Sequence, residues 1–453
     1  MQSRRTFMRS CAAAGGAFFI PATKLFGQEL PKKQLRIAMV GAGGIGAPTR
    51  GLLCGAGATV AALCDVNQDA LAAEAKKFPG IPTYTDWRKL FEHAKDFDAV
   101  AVCTPDHTHA IISLHAMRLG KHVYVQKPLA HSVEECEMLM KEQRRTGVVA
   151  QMGNQHHPRC KAFKALVDAG VIGDLTDVTC WTDRPGKYWT ACPNAYPTTG
   201  SYERGFTEET WDIWLGPQIE NPCSPVFTPR RWRGWWHYGT GAIGDMAIHN
   251  ADPAFDAYRW GLPTSVTGYC DEPVRAGFPA KAKIVITFAP TKENGKPVTF
   301  TWLNASQRPK KPAGCHPKYE FGDNGLLFNG TKGAFNGVVW QGKPIVIAAD
   351  HPWNEDSKRL QRDFIEKLKP MAFHNHFKQF VDAAIAGTPE ACDSKMSYAA
   401  PFTQALLIGA IGLRFPGRKL LFDGAKRAFT NCPEANEFLR APSRGAFSMK
   451  DFA

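Results

Sequence analysis

The first third of the chain alternates short apolar runs with segments of helical character. Each run has the length and the Ile, Val and Ala content of a strand buried on both faces. One intervening helix begins with the capping pair Ser132 and Glu135 and ends at Gly147. The runs cover 35–40, 59–63, 98–103, 122–125 and 148–152. Strands that alternate with helices in this way predict a doubly wound parallel sheet.

The pattern changes after residue 154. A helix over 159–169 and a strand over 175–182 precede a Trp-, Pro- and Gly-rich region, 183–244, whose weak periodicity predicts long ordered loops. Later runs alternate apolar and polar residues, as is typical of an antiparallel sheet with one covered face. These runs are 266–270, 283–288, 298–303 and, less regularly, 345–348. Apolar residues at helical spacing over 377–385 and 399–413 predict final helices that pack back on the first domain.

Together these patterns predict an α/β protein with two main domains. We assign 31–153 to a domain with a doubly wound parallel sheet, and 154–370 to an α+β domain with a mainly antiparallel sheet. Residues 371–430 would form the returning helices, and 431–453 a C-terminal tail.

The N-terminal 30 residues have a different character. Two arginines in SRRTFM, at Arg4 and Arg5, precede a modest apolar stretch over 11–20 and then Pro21. This arrangement resembles a twin-arginine export signal, which carries proteins already folded around a cofactor. We therefore expect 1–30 to be a signal and linker, with cleavage between residues 22 and 28, and the protein to be periplasmic. The alternative is a disordered basic tail on a cytoplasmic protein.

Charge and apolar content exclude two partner classes. The formal net charge is +13, of which Arg4, Arg5, Arg9 and Lys24 contribute four, so about +9 remains without them. The other basic residues are scattered, so we expect no nucleic-acid binding. No apolar run approaches the ~20 residues of a membrane span, so we expect no membrane insertion.

Thirteen cysteines form no C-x-x-C pair. Cys54, Cys64 and Cys103 fall in predicted core segments, where cysteine acts as a small hydrophobic residue. A disulfide between Cys192 and Cys223 stays open.

Glycines end the first strand at the spacing G-x-G-x-x-G. Gly41 lets the chain turn, Gly43 lets backbone approach a pyrophosphate, and Gly46 lets the next helix lie close to the sheet. The loop also contains Gly44 and Ile45, and the N-terminus of the helix offers unpaired N–H groups to phosphates. The loop therefore predicts a dinucleotide site, although a glycine turn in another kind of α/β protein is the alternative.

The second apolar run leads to Asp65, close to the expected ~20 residues after the glycines. A carboxylate there accepts hydrogen bonds from both ribose hydroxyls of adenosine and repels a 2′-phosphate. We therefore predict NAD as the cofactor and regard NADP as less favoured.

Further cofactor contacts are expected where the other strands end, because ligands of such sheets lie beyond the carboxyl ends of the strands. The residues at these ends are Thr104, Pro105, His109, Gln126, Lys127 and Asn154. The ammonium of Lys127 would reach both the nicotinamide ribose and a substrate hydroxyl, which it would polarise.

A second candidate for chemistry lies in GAIGDMAIHN, residues 241–250. If this stretch is helical, Asp245 and His249 share one face. A carboxylate beside an imidazole stabilises the protonated ring and orients it. An alcohol oxidation needs such a base to accept the hydroxyl proton as hydride leaves carbon. The alternative is a capping aspartate with a surface histidine.

From about Leu35 onward the chain resembles the Gfo/Idh/MocA family, named for glucose-fructose oxidoreductase and inositol dehydrogenase. The resemblance is carried by GAGGIG, CTPDHTHA, VYVQKPLA and the D-x-x-x-H pair, and WDIWLGP and WRGWWHYGTGAIGD are similar to exported bacterial members. It implies that Lys127, Asp245 and His249 flank the nicotinamide, with His249 as acid/base. It also implies a large open C-terminal sheet that makes the subunit contact, and hence a homodimer or homotetramer.

Two positions depart from the family pattern. Gln126 stands where the family has a glutamate before the lysine, and Asp106 stands where it has an asparagine after Thr-Pro. We expect the missing charge at Gln126 to weaken the electrostatic support of Lys127. The resemblance also implies a cis peptide before Pro128 that aims Lys127.

Two histidine pairs, His107 with His109 and His156 with His157, lack partners at metal-ligand spacing, so we expect no metal site. We expect His109 to line the cofactor cleft and the second pair to lie near the substrate entrance. Several tryptophans are equally consistent with stacking on sugar rings and with packing: Trp189, Trp211, Trp235 and Trp236.

These features predict an NAD-dependent oxidoreductase that transfers hydride between a hydroxyl of a sugar, polyol or glycoside and a tightly held cofactor. Two alternatives stay open. One is glycoside cleavage through transient oxidation and elimination, and the other is a nucleotide-binding sensor without turnover, which only Gln126 favours.

Overall fold

Six parallel strands form the first sheet. The computed structural model describes residues 34–155, 159–184, 194–202, 204–271, 275–338, 341–348 and 375–452. The strands of this sheet are β1 (Leu35–Val40), β2 (Ala58–Cys64), β3 (Thr83–Tyr84), β4 (Ala99–Val102), β5 (His122–Val125) and β6 (Ala150–Met152). The helices between them are α1 (Gly46–Gly55), α2 (Gln68–Ala75), α3 (Trp87–Glu92), α4 (His109–Arg118) and α5 (Val133–Thr146). The strand order β3-β2-β1-β4-β5-β6 is that of a doubly wound nucleotide-binding sheet.

The sequence features that predicted this sheet have the expected local structure. All four residues of β4 are buried, as expected of a central strand that helices cover on both faces. At the start of α5, Ser132 and Glu135 form a reciprocal capping box, and Gly147 ends the helix with a φ of 68°. The predicted doubly wound parallel sheet is confirmed.

Nine strands form the second sheet. They are β7 (Leu175–Thr182), β8 (Ser265–Cys270), β9 (Ala282–Phe288), β10 (Val298–Asn304), β11 (Asn324–Gly330), β12 (Gly333–Val338), β13 (Gln341–Ala348), β14 (Lys419–Asp423) and β15 (Ala428–Phe429). Their order is β13-β12-β11-β7-β10-β9-β8-β14-β15. Only β7 and β10 pair in parallel, so the predicted, mainly antiparallel sheet is confirmed. In β9 every second residue is buried, which is the pattern of a sheet covered on one face.

The helices of the second half are α6 (Arg159–Asp168), α7 (Glu208–Leu215), α8 (Ile248–Asn250), α9 (Asp252–Tyr258), α10 (His376–Ala386) and α11 (Met396–Ile411). A π-helical turn over Ile243–Ala247 precedes α8.

Some of these elements differ from the sequence prediction. The region 183–244 contains α7 and is therefore not made of loops alone; Thr207 caps this helix by accepting the N–H of Thr210. Strands β3, β11, β12, β14 and β15 were not predicted. β11 is bounded by Asn and Gly residues, and its short apolar centre has too few alternations to mark it as a strand.

The two final helices lie against the first sheet. The ring of Phe377 in α10 stacks on Tyr124 of β5 at a centroid distance of 5.5 Å. The side chain of Gln404 in α11 donates to the carbonyl of Val133 at 3.1 Å.

In the described part of the chain, one helix, Met396–Arg414, meets the length and composition of a membrane span, but 83% of its apolar window is buried inside the fold. The predicted domain boundaries stay predictions.

Candidate active site

The glycine loop between β1 and α1 leaves room for a ligand. Gly41 has a φ of +84°, and a Cβ there would lie 2.6 Å from the carbonyl oxygen of Cys103. A Cβ on Gly46 would lie 1.8 Å from the carbonyl oxygen of Gly41, so this helix start requires glycine. At Gly44 nothing lies within 4 Å, and the neighbouring Ile45 is 47% exposed. The loop is thus tight against the sheet and open outward, which fits a dinucleotide over the N-terminus of α1.

Gly46→Ala tests this loop. The added methyl would meet the backbone of Gly41, so we expect the variant to lose NAD binding and about 1–3 kcal/mol of unfolding free energy. Gly55→Ala is the control, because this glycine lies in the same helix with nothing within 4 Å of its added methyl. It should keep NAD binding and gain roughly 0.5–1 kcal/mol. Thermal unfolding and calorimetric NAD titration measure both effects, and unchanged NAD affinity in Gly46→Ala would contradict the assignment.

Asp65 organises the glycine loop from the end of β2. Its carboxylate accepts the N–H of Gly43 at 3.0 Å and the N–H of Asn67 at 2.9 Å. Burial raises the pKa of Asp65, although these two backbone N–H groups oppose the shift. The carboxylate therefore lies beside the loop, as the ribose contact requires, and its contact with ribose stays a prediction.

A buried hydroxyl without a partner marks the end of β4. The Oγ1 atom of Thr104 is inaccessible and has no hydrogen-bond partner among the described residues. The imidazole of His109, only 1% exposed, lies between two carbonyl oxygens, with Nε2 at 2.9 Å from Thr104 and Nδ1 at 2.8 Å from Pro128. His109 thus connects the end of β4, at Thr104 and Pro105, with the chain after β5. Its direct contact with a cofactor stays a prediction.

Gln126 links β5 to the helix of the glycine loop. Its amide donates to Oγ1 of Thr49 in α1 at 2.9 Å, and the side chain is buried. The residue that replaces the family's glutamate therefore holds two strand–helix units of the nucleotide site together. The Lys127–Pro128 peptide that follows is cis, as the resemblance implies.

Lys127 and Asp245 form an ion pair across the two halves of the chain. The Nζ atom of Lys127 donates to Oδ1 of Asp245 at 2.6 Å and to its backbone oxygen at 2.9 Å. The side chains are 14% and 7% exposed, respectively. The pair joins the carboxyl end of β5 to the turn before α8, so the structure brings these two predicted residues together.

Two arginines that the sequence did not single out complete the cluster around Asp245. Nε of Arg233 lies 3.3 Å from Oδ1, and an Nη atom of Arg184 lies 3.4 Å from Oδ2. Burial alone would raise the pKa of Asp245, but the charges of Lys127 and Arg233 lower it far below its ordinary value. The carboxylate is therefore ionised at any physiological pH. In the sequence both arginines lie in the Trp- and Pro-rich region, which has no clear periodicity. Only Arg233 falls in a stretch that resembles the family, WRGWWHYGTGAIGD, and no sequence signal points to Arg184.

His249 lies one turn after Asp245, but the backbone between them is not the α-helix we expected. Residues 243–247 form a π-helical turn, a feature that is frequent at functional sites. Nδ1 of His249 lies 3.0 Å from the carbonyl oxygen of Asn154 at the end of β6. A carbonyl can only accept, so in the neutral ring Nδ1 carries the proton and Nε2 carries the lone pair.

The charge of Asp245 favours the protonated ring of His249, as expected, but it does not decide the net shift of the pKa. Asp245 was expected to stabilise the protonated ring, but the pKa of His249 is lowered to about 3. Burial is the largest cause and the charge of Lys127 adds to it, and together they outweigh the opposing effect of Asp245. The imidazole is therefore neutral near pH 7 and is present as a base.

Asp106, the second departure from the family pattern, is buried behind the cluster. It accepts the hydroxyl of Thr240 at 2.7 Å and the N–H of the same residue at 3.2 Å. Burial raises the pKa of Asp106 to about 6, while Arg233 and Lys127 oppose the shift. It thus anchors the loop that leads into the π-helical turn.

Some of the remaining predicted side chains are packed in the protein interior, and the others lie outside the described residues. Trp211, Trp235 and Trp236 are buried in the protein, which supports packing and not sugar stacking. His107 lies between the carbonyl oxygens of Trp214 and Tyr238, at 2.7 and 3.2 Å. The remaining residues of this set, His156, His157, Trp189 and the Cys192 half of the possible disulfide, lie outside the described residues. No cluster of metal-ligand type occurs within the described ranges.

Buried histidines predict sensitivity to acid. Burial lowers the pKa of five of them to about 3 or 4: His107, His109, His131, His237 and His249. Because an unfolded imidazole has a pKa near 6.5, the unfolded chain binds more protons than the folded chain below that pH, and the free energy of unfolding falls. Asp65, Asp106 and Glu135, whose pKa values burial raises, act in the opposite direction.

The net proton uptake on unfolding near pH 5 is then about two to three, which gives a slope of about 3–4 kcal/mol per pH unit. Urea unfolding measured from pH 6.5 to pH 4.5 should show this decline. An unfolding free energy that stays constant over this range would contradict it.

Comparison with known proteins agrees with this geometry. Residues 35–154 match the Gfo/Idh/MocA model described as "Oxidoreductase family, NAD-binding Rossmann fold". Residues 158–258 match the model of the same family described as "Oxidoreductase family, C-terminal alpha/beta domain". Residues 35–258 are therefore similar to the Gfo/Idh/MocA family over both of these models.

Several curated proteins are similar to this chain over part of their length. An inositol 2-dehydrogenase from Klebsiella pneumoniae is 34% identical over 153 residues, which are 32% of this chain and 45% of the relative. An alpha-N-acetylgalactosaminidase from Bacteroides fragilis is 29% identical over 159 residues, 33% of this chain and 37% of the relative. The chain thus spans about half the length of the curated relatives it matches, or less.

Solved structures extend the likeness of fold. The WlbA dehydrogenase from Bordetella pertussis, in complex with NADH and UDP-GlcNAcA, has a TM-score of 0.57 and 18% identity. The match covers 86% of this chain and 99% of that protein. At this identity the likeness shows a shared fold over most of the chain.

Proposed function

We propose that this protein is an NAD-dependent dehydrogenase that oxidises a secondary hydroxyl of a sugar or polyol. The observation that carries the proposal is the Lys127–Asp245 pair, which joins the end of a nucleotide-domain strand to the turn that carries His249. The names of relatives such as inositol 2-dehydrogenase support a polyol or sugar substrate.

The cofactor would lie over the glycine loop at Gly41, Gly43 and Gly46, with Asp65 toward its adenosine ribose and Thr104 beside it. The open space at Gly44, the exposed Ile45 and the hydroxyl of Thr104, which has no partner among the described residues, fit this placement. When bound, NAD⁺ supplies a hydride acceptor for the carbinol carbon of the substrate.

The side chains around Asp245 would each have a separate role in the reaction. Nε2 of His249 accepts the hydroxyl proton with its lone pair, since Nδ1–H is held by the carbonyl of Asn154. The ammonium of Lys127 stabilises the negative charge that develops on the oxygen, and Asp245 holds that ammonium in position. The alcohol thereby loses a proton to His249 and a hydride to the cofactor, and a ketone remains.

The test is a single-turnover experiment with purified, NAD⁺-loaded protein. A panel of sugars and polyols is added while the absorbance of reduced nicotinamide is recorded, so that a tightly held cofactor does not hide the reaction. We expect at least one substrate to reduce the bound cofactor, and NADP⁺ to be accepted more weakly. A bound chromophore that never changes with any member of the panel would contradict simple dehydrogenase activity.

Glycoside cleavage is the second candidate, and the alpha-N-acetylgalactosaminidase relative favours it. Transient oxidation would acidify a neighbouring C–H bond, elimination would expel the aglycone, water would add, and the hydride would be returned. Release of nitrophenol from nitrophenyl glycosides without net cofactor reduction, with solvent deuterium in the product, would support this reaction over net oxidation.

Export and assembly are proposals of the same kind. We propose that Arg4 and Arg5 direct the protein to the periplasm through the twin-arginine pathway, and that the second sheet joins two or four copies. Replacement of both arginines by lysine should retain the protein in the cytoplasm, and light scattering should give the mass of a dimer or tetramer.

A further inference from the structure

Arg414 ends the short turn that follows α11, and its guanidinium lies against two aromatic rings. The guanidinium carbon is 4.1 Å from the ring centroid of Trp236 and 4.1 Å from that of Phe438. These contacts hold the side chain in place, and the residue is only partly exposed. Arg414 is therefore a fixed cation that has lost part of its hydration.

The guanidinium of Arg414 has no oxygen atom as a partner in the described part of the chain. Aromatic rings attract its charge but offer no oxygen to its five N–H groups. Burial lowers the pKa of Arg414 to about 10, although Tyr196 and the exposed carboxylate of Glu437 act in the opposite direction. Glu437 makes no ion pair with Arg414 among the described contacts, so the planar set of N–H donors is available to a ligand.

His237 supplies a second polar group beside Arg414. It follows Trp236, the ring against which Arg414 lies, and its own ring packs on Tyr196 at a centroid distance of 4.8 Å. Burial and the charge of Arg414 lower the pKa of His237 to about 4, so the ring is neutral near pH 7 and carries one N–H donor. Neither ring nitrogen has a hydrogen-bond partner among the described residues, and the side chain is partly exposed.

We propose that Arg414 and His237 form a binding site for a small oxyanion, namely a carboxylate, phosphate or sulfate group. The edge of the guanidinium would donate two parallel N–H···O bonds to it, and the imidazole would donate a third. A bound anion would connect the turn after α11 with the segment that leads to the π-helical turn 243–247. The site is proposed in addition to the one at Lys127 and His249, and it stands whether or not the protein is a dehydrogenase.

The experiment titrates the NAD⁺-loaded protein with sodium sulfate, sodium phosphate and sodium acetate by calorimetry at pH 7, and sodium chloride keeps the ionic strength constant. Loading with the cofactor occupies the glycine loop, where an anion could otherwise bind. We expect at least one of the three anions to bind with a Kd of about 1 mM, and the tightest one identifies the preferred group. If none binds at concentrations up to about 20 mM, the proposal is overturned.

Variants assign the binding to this site. Arg414→Gln should weaken it about tenfold or more. His237→Phe, which keeps a ring beside Tyr196 but removes the N–H donor, should weaken it about threefold. Arg440→Gln is the control, because it removes the same charge from an exposed arginine just after Phe438 and should leave the affinity unchanged. Circular dichroism checks that each variant is folded, and unchanged affinity in folded Arg414→Gln would overturn the proposal.

One substitution should strengthen the binding, so a folding defect cannot imitate its effect. The carboxylate of Glu437 raises the pKa of Arg414 and would repel an anion bound there. We expect Glu437→Gln to bind the anion about twofold more tightly, and this gain should shrink as sodium chloride is added. Glu434→Gln is the control, because Glu434 lies in the same short helix but is paired with Arg418. Equal affinities in the two variants would contradict an anion beside Arg414.

Discussion

Replacement of Lys127 by methionine is expected to lower kcat by about 10³-fold. Methionine keeps the apolar stem but removes the ammonium that lies 2.6 Å from Oδ1 of Asp245. The developing charge on the substrate oxygen then loses its nearest cation. Asp245 keeps only the two more distant arginines, at 3.3 and 3.4 Å. Single-turnover reduction of the bound cofactor measures the effect.

The matched control is Lys121→Met. Lys121 lies just before β5, whereas Lys127 lies two residues after it, and its ammonium likewise donates to a backbone oxygen, that of Phe97, at 3.0 Å. It therefore tests loss of a lysine from the opposite end of the same strand. We expect the control to keep normal turnover. A Lys127→Met protein that turns over within about fivefold of the unmodified chain would show that the ammonium takes no part in the reaction.

Replacement of His249 by glutamine is expected to lower kcat by about 10²–10⁴-fold, because the reaction loses its base. Glutamine can still donate an N–H to the carbonyl of Asn154, which now accepts from Nδ1 at 3.0 Å, but it cannot accept a proton. Since the pKa of His249 is lowered to about 3, the ring is already neutral between pH 5 and pH 8. Titration of this ring should therefore produce no limb in the rate profile across that range.

His131→Gln serves as the control for this substitution. His131 is also a histidine with a lowered pKa whose ring nitrogen meets a backbone carbonyl, that of Trp236 at 3.0 Å, but we assign it no contact with substrate or cofactor. We expect it to lower stability and to keep kcat in the folded fraction. Equal losses of kcat in both variants would point to a structural effect, and full activity of His249→Gln would contradict the assignment of the base.

The sheets were predictable to different extents. In the parallel sheet the central strand β4 is fully buried, and the helix after β5 begins with the capping pair Ser132 and Glu135, so these local signals agree with what the tertiary structure requires. In the second sheet, β9 shows a clear alternation, whereas β11 and β12 are rich in Gly and Asn. Their pairing depends on long-range contacts that no local pattern records.

The sequence alone determined those parts of the site whose residues lie close together along the chain. The glycine spacing, the carboxylate of Asp65 and the candidate pair Asp245 and His249 are all readable because a strand end, a loop or a helix turn places them. The π-helical form of that turn is not readable, since the same residues also fit an α-helix.

Only the tertiary structure decided which charges meet. Lys127 lies 118 residues before Asp245, Arg184 lies 61 residues before it, and neither distance follows from a periodicity. The same convergence and burial lower the pKa of His249, where sequence reasoning with the neighbouring carboxylate alone predicted a stabilised protonated ring. Electrostatic energies depend on every neighbouring charge and on solvent exposure in three dimensions. Spacing along the chain therefore indicates which residues form a site, but only the folded structure determines which of them are ionised.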